Sequence, residues 1–284
     1  MSLVPLTIPP GVFKNGTDLQ NSGRWNDANL VRWYEGGMQP VNGWRERTTS
    51  AFTGVCRALL TWTNNAGGRQ TAAGTESKLY YVNSSNVITD ITPTSFTTGS
   101  ADAAQNLGWN ALTYGDNEFG TPRPDSGTYT PATTWSLHPW GQYLLACSNA
   151  DGKIYEWQLN TGAVAAVLSN APTSNTAIFV TDERFVFALG AGGVGNKVQW
   201  SDQEDNNTWS AAATNQAGSL VLQTAGNLIT GISTRGQTLL FTDIDCHAAT
   251  YQGPPYVYGI SKVGDGCGIA SANAAATTDT AAFW

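Results

Sequence analysis

One feature restricts the fold more than any other. A short polar turn hands over to a solid apolar run, and the unit recurs. Trp140-Gly141-Gln142 precedes Tyr143-Leu144-Leu145-Ala146, and Asp182-Glu183-Arg184 precedes Phe185-Val186-Phe187-Ala188. Arg235-Gly236-Gln237 precedes Thr238-Leu239-Leu240-Phe241, and Thr278-Asp279-Thr280 precedes Ala281-Ala282-Phe283-Trp284. The runs begin at 143, 185, 238 and 281, which gives spacings of 42, 53 and 43 residues. Self-similarity at a fixed period is the mark of a chain built from repeated supersecondary units.

A second element follows each of the first three runs and alternates with period two: Tyr155 and Trp157, Val198 and Trp200, Ala249 and Tyr251. A third precedes each run, over 135–137, 177–181 and 229–233. Each unit therefore reads as strand, tight turn, buried strand, loop, half-buried strand. The middle run is apolar on both faces, as in a strand covered on both sides. An earlier, less regular unit spans 55–92, with strands near 56–62, 69–75 and 78–82.

Composition agrees with short strands and tight turns. Charged residues are 12% of the 284, about half the ~25% usual for a soluble domain, while Gly numbers 31 and Trp 11. A coiled coil needs Glu, Lys and Leu in quantity, and a membrane helix needs a run of ~18 apolar residues. Neither is present. The sequence predicts an all-β protein, specifically a β-propeller with blades of three to four antiparallel strands. An open stack of β-sandwiches with the same period is the alternative. A blade cannot bury both faces alone, and radial stacking covers them.

Residues 1–50 read as an N-terminal arm or docking segment, and residues 51–284 as the blades. The period is interrupted at 93–131, rich in Pro, Gly, Ser, Thr and Asp, with Trp109, Tyr114 and Phe119 embedded. This reads either as a surface insertion or as a partner-contact loop, since exposed aromatics mark interfaces. The last unit stops at Phe283-Trp284, halfway through its second strand. The expectation is that the chain is the N-terminal part of a longer propeller.

The balance of 14 basic against 21 acidic residues gives a net charge of −7. A general nucleic-acid binder leans the other way, because phosphate neutralisation supplies most of its affinity. The first ten residues carry no basic n-region and no long apolar run, so no secretory signal is visible. Cys56, Cys147, Cys246 and Cys267 form no close CxxC pair and read as buried small residues of a cytosolically made protein.

The order of short motifs adds a resemblance. The chain carries Gly23-Arg24-Trp25-Asn26-Asp27, Val31-Arg32-Trp33-Tyr34, Gly36-Gly37 and Gly43-Trp44-Arg45. Later come Gly152-Lys153-Ile154-Tyr155-Glu156-Trp157, Val198-Gln199-Trp200-Ser201-Asp202 and Tyr251-Gln252-Gly253-Pro254-Pro255. This series resembles the tail hub or nozzle proteins of short-tailed phages, also labelled packaged-DNA stabilisation proteins. It covers most of the chain outside 93–131.

The resemblance implies a structural virion protein of the tail, made in the host cytoplasm and without enzymatic activity or cofactor. It implies a homo-oligomeric ring, usually six-fold, below the portal and adaptor, carrying tail fibres or a needle. The lumen continues the DNA channel and passes the genome without sequence-specific binding. An acidic conduit repels DNA and keeps it from sticking. Six of the nine Arg fall in the first 70 residues. Arg24 with Trp25 and Arg32 with Trp33 are candidates for an inter-subunit or adaptor interface, through cation–π and bidentate contacts. Trp109 and Tyr114 are the candidates in the insertion. The plainer reading is that these Trp cap the core and the Arg lie solvated along them.

Two other function classes need testing. A glycosidase needs two carboxylates ~5–10 Å apart, and the candidates are Asp202, Glu204, Asp205, Asp243 and Asp245. The 201–209 segment is better read as a turn whose Asp and Asn side chains bond backbone amides. A carbohydrate-binding, receptor-recognising tail propeller would use aromatics such as Trp109, Tyr114 and Trp140. Metal sites look poor: Cys246-His247 with Cys267 places adjacent residues on opposite faces of a strand. An oxygen-lined Ca²⁺ site at 202–206 or 243–245 is the other arrangement weighed. The Gly190-Ala191-Gly192-Gly193-Val194-Gly195 loop lacks the following Lys-Ser/Thr of a phosphate loop.

Overall fold

A computed structural model of the chain describes residues 8–43, 46–105, 129–278 and 281–284. It divides into two compact units, Met1–Thr49 and Ser50–Trp284. In the first, β1 (Val31–Tyr34) and β2 (Gly37–Pro40) form an antiparallel hairpin. Its turn residues Glu35 and Gly36 have φ of 49° and 76°, the paired positive angles a two-residue turn of this hand requires. Upstream, the Phe13 amide donates to the Trp25 carbonyl at 2.9 Å.

The second unit is four antiparallel sheets, each of four strands in sequence order. Sheet I holds β3 (Ala58–Thr63), β4 (Arg69–Gly74), β5 (Leu79–Val82) and β6 (Ile88–Asp90). A two-stranded pair, β7 (Ala104–Gln105) and β8 (Tyr129–Thr130), lies within the interrupting segment. Sheet II holds β9 (Trp135–Trp140), β10 (Tyr143–Ser148), β11 (Ile154–Trp157) and β12 (Ala166–Val167). Sheet III holds β13 (Ala177–Val180), β14 (Val186–Leu189), β15 (Lys197–Trp200) and β16 (Gly218–Val221). Sheet IV holds β17 (Leu228–Thr234), β18 (Gln237–Thr242), β19 (Asp245–Gly253) and β20 (Val257–Asp265). A hairpin of β21 (Ala276–Thr277) and β22 (Ala282–Phe283) follows.

The doubly apolar runs form the second strand of sheets II, III and IV, and period two explains their composition. Alternate side chains on one strand serve different layers. From β10, Leu144 and Ala146 join Trp62, Leu79 and Tyr81 of sheet I, while Leu145 and Cys147 join Ile178, Val186 and Ala188 of sheet III. From β14 and the residue before it, Phe185, Phe187 and Leu189 meet Leu240, Ala249 and Tyr258 of sheet IV. Leu239 and Phe241 of β18 face away from that layer, with Cys246, Ile269 and Ala282. The sheets thus stack face to face in chain order. Aromatic pairs lie in the layer between sheets I and II, with Tyr81 and Trp157 at 4.5 Å between ring centroids, and in that between sheets III and IV, with Phe187 and Tyr258 at 4.8 Å.

The first strands come together. β3 abuts β9, β9 abuts β13, β13 abuts β17 and β17 abuts β21. Cross-sheet bonds fix these meetings: the Ile178 amide donates to Ser136 Oγ at 2.8 Å, and Trp135 Nε1 donates to the Thr75 carbonyl at 2.7 Å. Gly74 lets the Trp135 ring lie directly on its backbone; a Cβ there would collide with the indole.

The repeated turns obey one backbone rule. Each of these turns contains one left-handed residue: Gly141 at φ 62°, Arg184 at 69° and Gly236 at 80°. Arg184 takes that conformation against the preference of a residue with a Cβ. Its guanidinium lies 4.2 Å from the Trp140 ring centroid and its Nε sits 3.3 Å from a Glu204 carboxylate oxygen. Both contacts offset the backbone cost.

Candidate functional site

A cavity of about 710 Å³ opens in the second unit where the leading segments of successive sheets converge. That is within the range of small-molecule pockets. Arg57 arrives just before β3, Tyr129 from β8, Trp135 and Ser136 from the start of β9, and Asn175 just before β13. Asp151 and Gly152 come from the β10–β11 turn. Tyr129 is 61% exposed, an aromatic face turned to solvent beside hydroxyls and amides.

The polar groups of the cavity are held firmly. Asp151 accepts from Tyr155 Oη at 2.5 Å and from the Lys153 amide at 3.2 Å. Burial, then this bond to Asp151, drives the Tyr155 pKa well above the usual phenol range, so the hydroxyl remains a donor. Asn175 is only 3% exposed, and its Nδ2 donates to the carbonyls of Gly152 at 2.8 Å and Pro172 at 2.6 Å. Its Oδ1 is buried with no hydrogen-bond partner. Arg57 Nη2 pairs with Asp102 at 3.2 Å, while its Nη1 is buried and unpartnered. Gly152, at φ 63°, is required by geometry: a Cβ would meet Ser174 Cα and the Asn175 nitrogen at 2.5 Å. The cavity can bind through fixed amides, hydroxyls and one guanidinium. The one carboxylate among its described lining residues, Asp151, is already engaged.

The carboxylates weighed for catalysis have structural duties. Asp202 Oδ1 accepts from the amides of Gln203 at 2.9 Å and Gln216 at 2.8 Å. Asp205 accepts from the Asn207 amide at 2.8 Å and Thr208 Oγ1 at 2.7 Å. Glu204 pairs with Arg184, and Asp243 Oδ1 accepts from the Asn227 amide at 2.8 Å. The 201–209 segment is a capped turn, as its Asp and Asn content suggested.

Asp245 is the most deeply engaged acid. It accepts from Thr242 Oγ1 at 2.5 Å and Thr224 Oγ1 at 2.7 Å, with Lys262 Nζ at 2.9 Å and His247 Nε2 at 3.2 Å. Burial alone would raise its pKa. The hydrogen bonds from Thr242, Thr224 and Lys262 outweigh burial and hold the carboxyl well below the usual range.

His247 bonds Asp245 while Cys246 points the other way into the apolar layer, so the adjacent pair does not converge on one ligand position. Among the described residues no group of three or more His, Cys, Asp or Glu is arranged to hold a metal. In the glycine loop, Ala191–Gly193 forms a single 3₁₀ turn. The amides of Gly192 and Gly193 donate to the carbonyls of Thr173 and Ser174 at 3.0 and 3.1 Å, which leaves them unavailable to an anion.

The interface candidates of the first unit stand as follows. Arg24 is exposed and its guanidinium lies 5.2 Å from the Phe13 ring centroid, so its aromatic partner is Phe13 and not Trp25. Trp25 is half-buried. Arg32 is exposed and reaches Gln39 Oε1 at 3.5 Å; Trp33 is half-buried with an unpartnered, buried Nε1. Trp109 and Tyr114 lie outside the described residues. Trp140, weighed as a sugar-stacking aromatic, is a core residue between sheets II and III with Arg184 over its ring, which closes that face. Sequence reading missed the cavity. Its lining is a set of Asn, Ser and Thr that otherwise read as turn residues.

No family profile matches the chain, and no curated protein is similar to it. Among solved structures it is similar to selenomethionine-substituted virginiamycin B lyase from Staphylococcus aureus, at 10% identity and a TM-score of 0.37. The match covers 71% of this chain and 53% of that one, so the chain spans about half that protein's length. A likeness of this size carries no weight for fold or activity.

Proposed function

We propose that the chain is a structural subunit of the tail nozzle or hub of a short-tailed phage, acting without catalysis. The observation that carries the reading is the serial stack of four like sheets with abutting first strands. Sheets whose first strands meet at one edge are what the radial arrangement of a β-propeller requires, which supports that reading. The order of motifs along the sequence joins this to the tail-ring family. The net charge of −7 suits a wall past which DNA must move freely. Copies of the chain form a closed ring, six-fold by the resemblance, under the portal and adaptor. The ring holds the packaged genome, conducts it at ejection and supports fibres or a needle.

Ring assembly is heterologous, using two different patches on each subunit. Electron microscopy and mass photometry of the purified protein test this. A ring with an axial hole wide enough for duplex DNA supports the reading, and a monomer at micromolar concentration refutes it.

A second reading, a carbohydrate-binding tail component, is favoured by one observation. The cavity combines the exposed Tyr129 ring with Asn, Ser and Thr side chains, the mixture of apolar face and convergent polar groups that a sugar ring needs. Glycan-array binding abolished by Tyr129→Ala would support it. No binding to any arrayed glycan would remove it.

A further inference from the structure

We propose that Cys246 and Cys267 are a site of covalent modification: an intramolecular disulfide that closes in an oxidising thiol–disulfide environment. The inference is independent of the tail-ring reading. Cys246 is fully buried in β19, in the apolar layer between sheet IV and the terminal hairpin. Cys267 follows β20 by two residues and packs against the same layer. Cys267 is half-buried, which makes it the more accessible residue of the two.

The ladder register places the two sulfurs. Cys246 stands directly opposite Gly264. Residues so paired point to the same face, with Cβ atoms about 4.5–5.5 Å apart. Gly264 has no side chain, and Cys267 Sγ fills the space: it lies 3.1 Å from where a Cβ on Gly264 would sit. The Cys267 sulfur therefore takes the place of the side chain that would face Cys246 across the ladder. A disulfide needs Cβ atoms about 3.5–4.5 Å apart, and the intervening turn, with Gly266 at φ 68°, is the segment that would shift to bring Cys267 to that distance. Proximity also shows in the pKa of Cys246, pushed up to about 11 by burial first and by the neighbouring Cys267 second.

The chemistry balances with a low-molecular-weight disulfide such as oxidised glutathione as oxidant. The Cys267 thiolate attacks it, forms a mixed disulfide and releases one glutathione thiolate. The Cys246 thiolate then attacks the Cys267 sulfur and releases the second. Two protein thiols are oxidised, one glutathione disulfide is reduced, and the two thiol protons end on the released glutathione. The bond would pin the segment after β20 to sheet IV. Cys267 already anchors the chain end there, since its carbonyl accepts from Trp284 Nε1 at 2.7 Å. Cys56 and Cys147 are internal controls: the first is exposed and the second is fully buried in the layer between sheets II and III.

The test incubates the folded 284-residue protein with oxidised glutathione, blocks free thiols, digests it and reads the peptides by mass spectrometry. The expected product is one linked pair containing Cys246 and Cys267, lighter by two hydrogens, with Cys56 carrying glutathione and Cys147 free. Cys56→Ser keeps the link and Cys267→Ala abolishes it. The linked protein should melt roughly 10 °C higher than the reduced one, because a loop of about 20 residues is closed in the unfolded chain. The proposal is overturned if Cys246 and Cys267 both remain blockable, if Cys267 stops at the glutathione adduct, or if the linked protein melts no higher.

Discussion

Leu144 and Leu145 are neighbours on β10, both with 0% exposure, yet they belong to different layers. Replacing either by Ala tests whether sheet II is covered on both faces. Losing three buried carbons forfeits transfer free energy, and the partial cavity left behind adds to it; together Leu→Ala at a buried site costs about 2.7–5.0 kcal/mol. For a unit of this size, each kcal/mol lowers the melting midpoint by roughly 2–4 °C. Leu144→Ala and Leu145→Ala should therefore each lower it by roughly 5–20 °C. The two side chains belong to different core clusters, so the losses should largely add, less the coupling through the backbone they share. The double variant then loses roughly 5–10 kcal/mol, comparable with the 5–15 kcal/mol that holds a domain folded. Guanidinium unfolding followed by tryptophan fluorescence measures all three. If either single variant costs under about 0.5 kcal/mol, the value typical of a surface site, one face of sheet II is open and the face-to-face stack is wrong.

Stability should depend on pH in two separate windows. Burial lowers the His138 pKa from 6.5 to about 4, so the folded state binds fewer protons than the unfolded state. Its stabilising contribution is complete above pH 6.5 and fades as pH falls towards 4, and His138→Gln should flatten this part of the denaturant-midpoint profile. Asp245, held below its unfolded value of 3.8, contributes fully above that pH and loses its contribution only in stronger acid. Asp245→Asn should alter the profile below pH 4 and destabilise the protein at pH 7. Gly152→Ala should cost at least about 1–3 kcal/mol from the left-handed backbone alone, and more from the collision with Ser174; thermal unfolding reads it directly. Arg184→Gly relieves backbone strain but removes the Trp140 and Glu204 contacts, so its net effect should be small, within about 1 kcal/mol by urea denaturation.

The apolar runs at 143, 185 and 238 were legible because a strand covered on both sides is predominantly apolar on both faces. Tyr155, Trp157, Val198 and Trp200 were legible for the complementary reason: they alternate with half-buried polar residues, Glu156 on β11 and Lys197 and Gln199 on β15. The fourth strands of the first three sheets were not: Ile88–Asp90, Ala166–Val167 and Gly218–Val221 are short, mostly exposed and held chiefly by ladder bonds. Such bonds are made by backbone, which every sequence has. Trp140 reads from sequence like a free aromatic beside a turn, and only the left-handed Arg184 of the next sheet reveals that its face is taken. The cavity is harder still. Arg57, Asn175 and Asp151 come from different sheets, and no spacing along the chain brings them together.

Because every layer is shared by two successive sheets, the cost of cutting the chain depends on where the cut falls. Severing it inside a sheet orphans half a ladder and spoils the contacts above and below at once. Severing it in a connector, such as 169–176 or 223–227, exposes a single apolar surface and leaves the ladders whole. Fragments trimmed at those joints should therefore keep their internal hydrogen bonding and show their loss as stickiness, self-associating through the one bare face they retain.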